Sequence, residues 1–122
     1  MYRITVEDNF SSAHRLREYE GKCSSMHGHN WKVHLTVRSD KLDERGITVD
    51  FGKLKKFLAS LLSRFDHTDL NQVAPFDRIN PTAENIARTI FELAAKELPE
   101  GVEVDRVAVW ESEKNRVEYS GE

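Results

Sequence analysis

Three of the five histidines occupy positions that could bring their imidazoles together. His27 and His29 are separated by one glycine, so on an extended chain both side chains point to the same face. His14 shares its parity with the apolar residues of an alternating segment that starts at Tyr2. If the two segments pair as strands, the three rings meet at one end of the buried face. Three neutral imidazoles suit Zn²⁺ and leave its fourth position open, which is the arrangement of catalytic zinc sites.

The single cysteine, Cys23, lies four residues before His27, among glycine, lysine and serine. A loop thiol beside Lys22 and near a divalent cation is readily deprotonated, and could act as a base or a nucleophile. It could instead be a fourth zinc ligand, which would make the site structural, and the sequence leaves both interpretations open. Because one cysteine cannot form an intrachain disulfide, the composition fits a reducing cytosol, and we expect a cytoplasmic protein.

Further acid–base residues lie at two other places in the chain. Asp66 and His67 follow directly after a helical pattern, and they either cap a loop or form a proton relay in which the carboxylate orients the imidazole. Glu111 extends the apolar parity of the segment around Val107. It either marks a strand end that has left the core, or it accepts N–H bonds from a planar heterocycle. His34 has the polar parity of its strand, and we expect an ordinary hydrogen-bonded residue there.

The composition is that of an ordinary globular domain. The 122 residues are 39% hydrophobic and 32% charged, and 18 basic against 21 acidic residues give a net charge of −3. General nucleic-acid binders are usually basic, and no apolar run here approaches the ~18 residues of a membrane span. The first residues also lack the apolar stretch of a signal peptide. We therefore expect a single domain over residues 1–122, with neither a nucleic acid nor a membrane as partner.

Alternation of apolar and polar residues predicts the strands that position these side chains. A valine pattern that changes parity near Asp105 predicts a turn or bulge there. The predicted strands cover residues 2–14, 31–38, 47–49, 102–109 and 116–119.

Apolar residues at spacings of three and four predict two helices. The first is capped by Asp50, with an apolar stripe from residue 51 to 65; the second is opened by Asn80-Pro81, with a stripe over 86–98. Residues 66–80 are predicted to form a loop. Since strands and helices are grouped rather than alternating, the pattern favours an α+β sheet. Its uncovered strand edges favour association between copies.

Five motifs in this order resemble those of the 6-pyruvoyltetrahydropterin synthase / 6-carboxytetrahydropterin synthase family, from Phe10 to Ser112. They are Phe10-Ser11-Ser12-Ala13-His14, Cys23-x-x-x-His27-Gly28-His29, Asp66-His67-x-x-Leu70-Asn71, Asn80-Pro81-Thr82-x-Glu84-Asn85 and Trp110-Glu111-Ser112. The resemblance implies the tunnelling fold, a four-stranded antiparallel sheet with two helices on one face. It also implies trimeric barrels that stack into homohexamers, with active sites at the subunit interfaces.

The resemblance also assigns roles by motif position. It implies that the zinc ligands are His14, His27 and His29, and that the proton-abstracting base is Cys23. It also implies that Asp66 and His67 form the proton relay, and that Glu111 anchors the pterin ring. The family substrate is dihydroneopterin triphosphate, whose side-chain hydroxyls would bind the open zinc position. Because sites lie between subunits, the cysteine of one chain would serve the zinc of another.

The short spacing between Cys23 and His27 resembles the prokaryotic carboxy branch of the family. That branch eliminates triphosphate and releases acetaldehyde, which leaves 6-carboxytetrahydropterin for 7-deazaguanine biosynthesis, on the way to queuosine or archaeosine. The alternatives are a synthase that keeps the side chain as a pyruvoyl group, and a non-catalytic zinc protein that binds a pterin. Because the net charge is negative, triphosphate needs a local cationic patch, for which the candidates are Arg15, Lys22, Lys32, Lys114 and Arg116.

Overall fold

A five-stranded sheet forms one layer of the computed structural model, which describes residues 1–19, 21 and 24–121. The strands are β1 (Tyr2–His14), β2 (His27–Ser39), β3 (Thr68–Asp69), β4 (Glu103–Ser112) and β5 (Asn115–Tyr119). Their spatial order is β3-β1-β2-β4-β5. Neighbouring strands are antiparallel except for the two-residue β3, which runs parallel to β1. The expected four-stranded antiparallel sheet is confirmed, and β3 is an addition at its edge.

The pairing of β1 with β2 is the longest in the sheet. Both strands have 13 residues, and they pair from one end to the other without a register shift. His14 therefore lies opposite His27, and Phe10 opposite Trp31. The even-numbered residues of β1 and the odd-numbered residues of β2 form one buried face, as the parity of the sequence predicted.

Asp105 forms the predicted bulge in β4. The residues on either side of it, Val104 and Arg106, pair with the adjacent residues Val37 and Thr36 of β2, so Asp105 is one extra residue. The core-facing valines of β4 consequently change from even to odd numbers at this point. The bulge lets β4 keep its apolar side chains on the same face of the sheet along its whole length.

Two helices cover that buried face, α1 (Phe51–Leu62) and α2 (Ala83–Glu97). Helix α1 packs against β1, and α2 packs against β4 and β5. Their buried side chains join those of the sheet in one core cluster, which confirms the expected helices-on-one-face arrangement. Asp50 caps α1 as predicted, because its carboxylate accepts the Lys53 N–H at 3.0 Å. No helix in residues 1–19, 21 and 24–121 is long and apolar enough to span a membrane.

The strand predicted at residues 47–49 is wrong, because this segment forms bends. Asp43 provides the reason: its carboxylate accepts the backbone N–H groups of Arg45 at 2.8 Å and of Ile47 at 3.0 Å. These local bonds close a turn and compete with strand pairing. The predicted loop over 66–80 is also more ordered than expected, since it contains β3 and a short 3₁₀ helix, Leu70–Gln72.

The start of α2 differs from the prediction as well. The helix begins at Ala83, and its cap is Thr82, whose hydroxyl accepts the Asn85 N–H at 3.1 Å. Asn80 does not cap it, because the Asn80 side chain is bonded to the backbone of Arg17. Asn80-Pro81 therefore lies just before the helix and not in its first turn.

Leu58 on α1 is fully buried, whereas Phe51 on the same predicted stripe is 62% exposed. We predict that Leu58→Ala lowers the free energy of unfolding by about 2–5 kcal/mol, because it leaves a cavity in the core. Phe51→Ala is the matched control, and it should change the urea unfolding midpoint little. Equal destabilisation by the two variants would contradict the described packing of α1.

Candidate metal centre

Three imidazoles and one carboxylate converge where β1 and β2 meet the second half of β4. His14, His27, His29 and Glu111 each offer one ligand atom, and these atoms lie within 4.8 Å of one another. The Nε2 atoms of His14 and His27 are 3.0 Å apart, and His29 Nε2 is 3.4 Å from Glu111 Oε1. The structure thus brings together the three histidines that parity grouped, and it adds Glu111 to them.

Backbone carbonyls orient two of the three rings. His14 Nδ1 donates to the Pro81 carbonyl at 2.7 Å, and His27 Nδ1 donates to the Ser25 carbonyl at 2.6 Å. Because a carbonyl oxygen only accepts, the proton of each neutral ring is on Nδ1. The Nε2 lone pairs are therefore left free, as in histidines that bind metal ions.

Burial keeps two imidazoles of the cluster neutral. Desolvation lowers the pKa of His14, more than the hydrogen bond with Pro81 raises it, and the neighbouring His27 and His29 lower it further. Desolvation also lowers the pKa of His29, partly opposed by the Glu111 carboxylate. Since a metal ion binds the neutral imidazole, both shifts favour metal binding.

His29 Nε2 shows most directly that this cluster fits a metal ion. The atom is buried and makes no hydrogen bond among the described residues, although Glu111 Oε1 is 3.4 Å away. A buried polar atom without a partner costs free energy, and a cation at the centre would accept its lone pair. Three imidazole nitrogens with an adjacent carboxylate form a donor set that suits Zn²⁺.

Trp31 forms an aromatic wall beside the imidazoles, a role that no sequence motif assigned. Its indole N–H is also buried without a hydrogen-bond partner among the described residues. Its fully buried ring lies edge-on to His14 and His29, with centroids 4.9 and 5.1 Å away. The parity that Trp31 shares with His29 was the available signal. The carbonyls of Pro81 and Ser25 were also missed, and no sequence pattern marks a backbone acceptor.

Asp66 and His67 form the predicted pair at the outer edge of β1, with His67 Nδ1 2.9 Å from Asp66 Oδ2. Asp66 Oδ1 accepts the Ser11 N–H at 2.9 Å, and this bond, with that from His67, holds the pKa of Asp66 below its ordinary value. The His67 N–H donates to the Ser11 carbonyl at 2.6 Å, which supports its left-handed backbone at φ 56°. The His67 side chain is 82% exposed, and among the described residues no hydrogen bond or ion pair joins it to His14.

The remaining candidates are spread over the structure. Cys23 and Lys22 lie outside the described residues. Lys32 and Arg116 flank the Trp110 ring, at 4.4 and 5.5 Å from its centroid. Arg15 and Lys114 are exposed. His34 is hydrogen-bonded to Glu7 Oε1 at 2.7 Å, in agreement with its expected structural role.

Comparison with known proteins agrees with the fold. The profile of the family described as 6-pyruvoyl tetrahydropterin synthase matches residues 3–122. An Archaeoglobus fulgidus protein with the provisional name 6-carboxy-5,6,7,8-tetrahydropterin synthase is 40% identical over 111 residues, covering 90% of this chain and 88% of that protein. A dihydroneopterin monophosphate aldolase of Pyrococcus furiosus is 34% identical over 116 residues, covering 95% of each chain. The solved structure of Caenorhabditis elegans 6-pyruvoyl tetrahydropterin synthase has a TM-score of 0.83 and 31% identity, covering 100% of this chain and 98% of that one.

The lowered pKa values of His14 and His29 predict how the stability of the metal-free protein depends on pH. Below the ordinary imidazole pKa of 6.5, the unfolded chain binds more protons than the folded chain at these two sites. The free energy of unfolding should therefore fall as the pH is lowered from about 7.5 to about 5.5. Urea titrations across this range measure the slope.

The variant His14→Gln/His29→Gln should flatten this pH dependence, whereas His34→Gln should preserve it, since His34 is outside the cluster. The lowered carboxyl pKa values of Asp43 and Asp66 do not interfere, because they lie below an ordinary value of 3.8. A metal-free protein whose stability rises toward pH 5.5 would contradict the described burial of the imidazoles.

Proposed function

Because the chain belongs to the 6-pyruvoyl tetrahydropterin synthase family, we propose that it is a zinc-dependent lyase acting on dihydroneopterin triphosphate. One water molecule is consumed, and the products are 6-carboxytetrahydropterin, triphosphate and acetaldehyde. The reaction belongs to 7-deazaguanine biosynthesis, for queuosine or archaeosine. The observation that carries the proposal is the convergence of His14, His27 and His29 on one point. A cytoplasmic location is part of the proposal, supported by a single cysteine.

The three imidazoles would hold Zn²⁺ and leave a position open for substrate. The ion, when bound, supplies Lewis-acid chemistry at the hydroxyl oxygens of the substrate. Trp31 excludes water from one side of the cluster, since its ring is fully buried. The Nδ1–H bonds of His14 and His27 keep both rings in the metal-binding tautomer.

Glu111 holds the pterin in this proposal. A pterin edge presents several N–H donors, and a carboxylate accepts two of them in one plane. The side chain is half-buried and close to His29, so a ring bound there would place its substituent chain near the imidazoles. One oxygen of the same carboxylate lies within 4.8 Å of the imidazole ligand atoms, so it also stabilises positive charge there.

Proton transfer is assigned to Cys23, Asp66 and His67. The thiolate removes a proton from the substrate side chain, and triphosphate leaves with the electron pair of its carbon–oxygen bond. Asp66 accepts the Nδ1–H bond of His67, which leaves His67 Nε2 free to shuttle protons. The cationic patch that binds the triphosphate is drawn from the basic residues Arg15, Lys22, Lys32, Lys114 and Arg116.

We further propose that the sites are completed between subunits of a homohexamer, a dimer of trimers. The His67 side chain is 82% exposed, and among the described residues it makes no hydrogen bond or ion pair with His14, His27 or His29. This supports a role at the site of a neighbouring subunit. Residues 2–10 of β1 have no strand partner on their outer side in the described chain, and β5 is the opposite edge. Unpaired edges of this kind favour strand pairing between copies.

Two other reactions have specific support. The C. elegans structure is named as a pyruvoyl-forming synthase, and the P. furiosus relative is named as an aldolase for dihydroneopterin monophosphate. An aldolase of that kind takes a monophosphate and so releases no triphosphate. A non-catalytic pterin-binding protein is the remaining alternative, and the Asp66–His67 pair argues against it, because binding alone does not need a relay.

Product analysis of the zinc-loaded protein distinguishes these reactions. With dihydroneopterin triphosphate, we predict acetaldehyde, triphosphate and 6-carboxytetrahydropterin, identified by mass spectrometry. A pyruvoyl product without acetaldehyde would support the pyruvoyl branch instead. Turnover of dihydroneopterin monophosphate only would support the aldolase.

Cys23→Ala tests the assignment of the base. Removal of a general base lowers turnover by about 10²–10⁴-fold, whereas zinc should stay near about one ion per subunit, since three imidazoles suffice to hold it. Metal analysis and turnover are measured on the same preparation. Loss of zinc in this variant would show that Cys23 is a structural ligand.

A further inference from the structure

The motif Asn80-Pro81-Thr82 has no role in the reaction proposed above, yet it contacts the candidate metal centre. The Pro81 carbonyl accepts the Nδ1–H bond of His14 at 2.7 Å, across 67 positions of the chain. Both groups are buried. This bond decides which nitrogen of His14 carries the proton, and so which one is free for a metal ion.

The position of the helix start leaves the Pro81 carbonyl free for this bond. Helix α2 begins at Ala83, and its first bond runs from the Ile86 N–H to the Thr82 carbonyl at 2.9 Å. The Thr82 hydroxyl takes the next N–H, that of Asn85. The Pro81 carbonyl thus lies one residue before the cap Thr82, and it is not used by the helix.

Asn80 holds the peptide that carries this carbonyl. Its side-chain Oδ1 accepts the Arg17 N–H at 2.8 Å, and its Nδ2 donates to the Arg17 carbonyl at 2.8 Å. Its own carbonyl accepts from Asn85 Nδ2 at 2.9 Å. Asn80 is therefore bonded to Arg17, just beyond β1, and to Asn85, in the first turn of α2. These bonds hold the two segments that the bond between Pro81 and His14 joins.

We propose that Asn80 is a positioning residue for His14, acting through the Pro81 carbonyl. It sets the distance between the chain beyond β1 and the start of α2, so that the carbonyl meets Nδ1 and not Nε2 of the ring. The inference rests on the proposed metal binding by His14, but the tautomer of the metal-free ring tests it independently.

Asn71 provides a matched control. Its side chain makes the same pair of bonds to Arg15, two residues before the partner of Asn80. It accepts the Arg15 N–H at 2.9 Å and donates to the Arg15 carbonyl at 3.1 Å. It is 8% exposed, so its loss should destabilise the fold at least as much as loss of Asn80. It has no described bond to the peptide before Pro81.

The experiment compares the wild type with Asn80→Ala and Asn71→Ala. The protonation of the two ring nitrogens of His14 is assigned by ¹⁵N NMR in metal-free protein, at a pH above the ordinary imidazole pKa of 6.5. The zinc dissociation constant is measured by competition with a chelator, and the urea midpoint reports stability. Arg17 also donates to the carbonyls of Phe76 and Ile79, so the Asn80 variant keeps part of the loop in place.

We expect Asn80→Ala to shift His14 toward the Nε2–H tautomer and to raise the zinc dissociation constant by about 10–100-fold. Asn71→Ala should lower the urea midpoint but leave the tautomer and the dissociation constant close to those of the wild type. An unchanged His14 tautomer in Asn80→Ala overturns the proposal, and so does equal loss of zinc affinity in both variants.

If Asn80→Ala does not fold, Asn80→Asp decides by the same criteria, since it keeps the shape of the side chain and removes the donor to Arg17. Failure of the wild type to bind zinc would count against the proposed function. The tautomer of His14 in the metal-free variants would still support or overturn the role of Asn80.

Discussion

The uninterrupted register between β1 and β2 is the constraint on which the rest of the structure depends. A slip of one residue would turn every side chain of one strand to the opposite face. His14 would then leave the buried face that carries His27 and His29. Since the same register also places Phe10 opposite Trp31 in the core, hydrophobic burial and the geometry of the metal centre stabilise the same pairing.

The positions of Asp66, His67 and the Pro81 carbonyl depend on the segment between the two helices. Along the outer edge of β1 and the residues just after it, this segment bonds in turn to Ser11, Arg15 and Arg17, through Asp66, Asn71 and Asn80. These polar side chains satisfy the edge where strand pairing ends after β3. The same segment therefore positions Asp66 and His67, and it also places the Pro81 carbonyl within hydrogen-bond distance of His14.

Local sequence patterns were sufficient to predict much of the fold and of the metal centre. The alternation in β1 and β2 predicted the three-histidine cluster, the change in valine parity predicted the bulge at Asp105, and Asp50 was identified as a cap. The place of Glu111 beside His29 could not be predicted, because it depends on β4 pairing with β2. The bond between His14 and Pro81 was equally inaccessible, since a backbone carbonyl has no residue type that marks it. Short segments were predicted poorly, as at 47–49, where side-chain bonds of Asp43 overrode a three-residue apolar pattern.

In the proposed metal centre, three imidazoles hold a zinc ion without sulfur. X-ray absorption at the zinc edge of the wild-type protein tests it most directly, because nitrogen and sulfur ligands differ in distance. We predict a shell of nitrogen and oxygen atoms at ~2.0–2.1 Å and no sulfur. A sulfur ligand at ~2.3 Å would contradict it, because Cys23 would then be a zinc ligand and unavailable as the base.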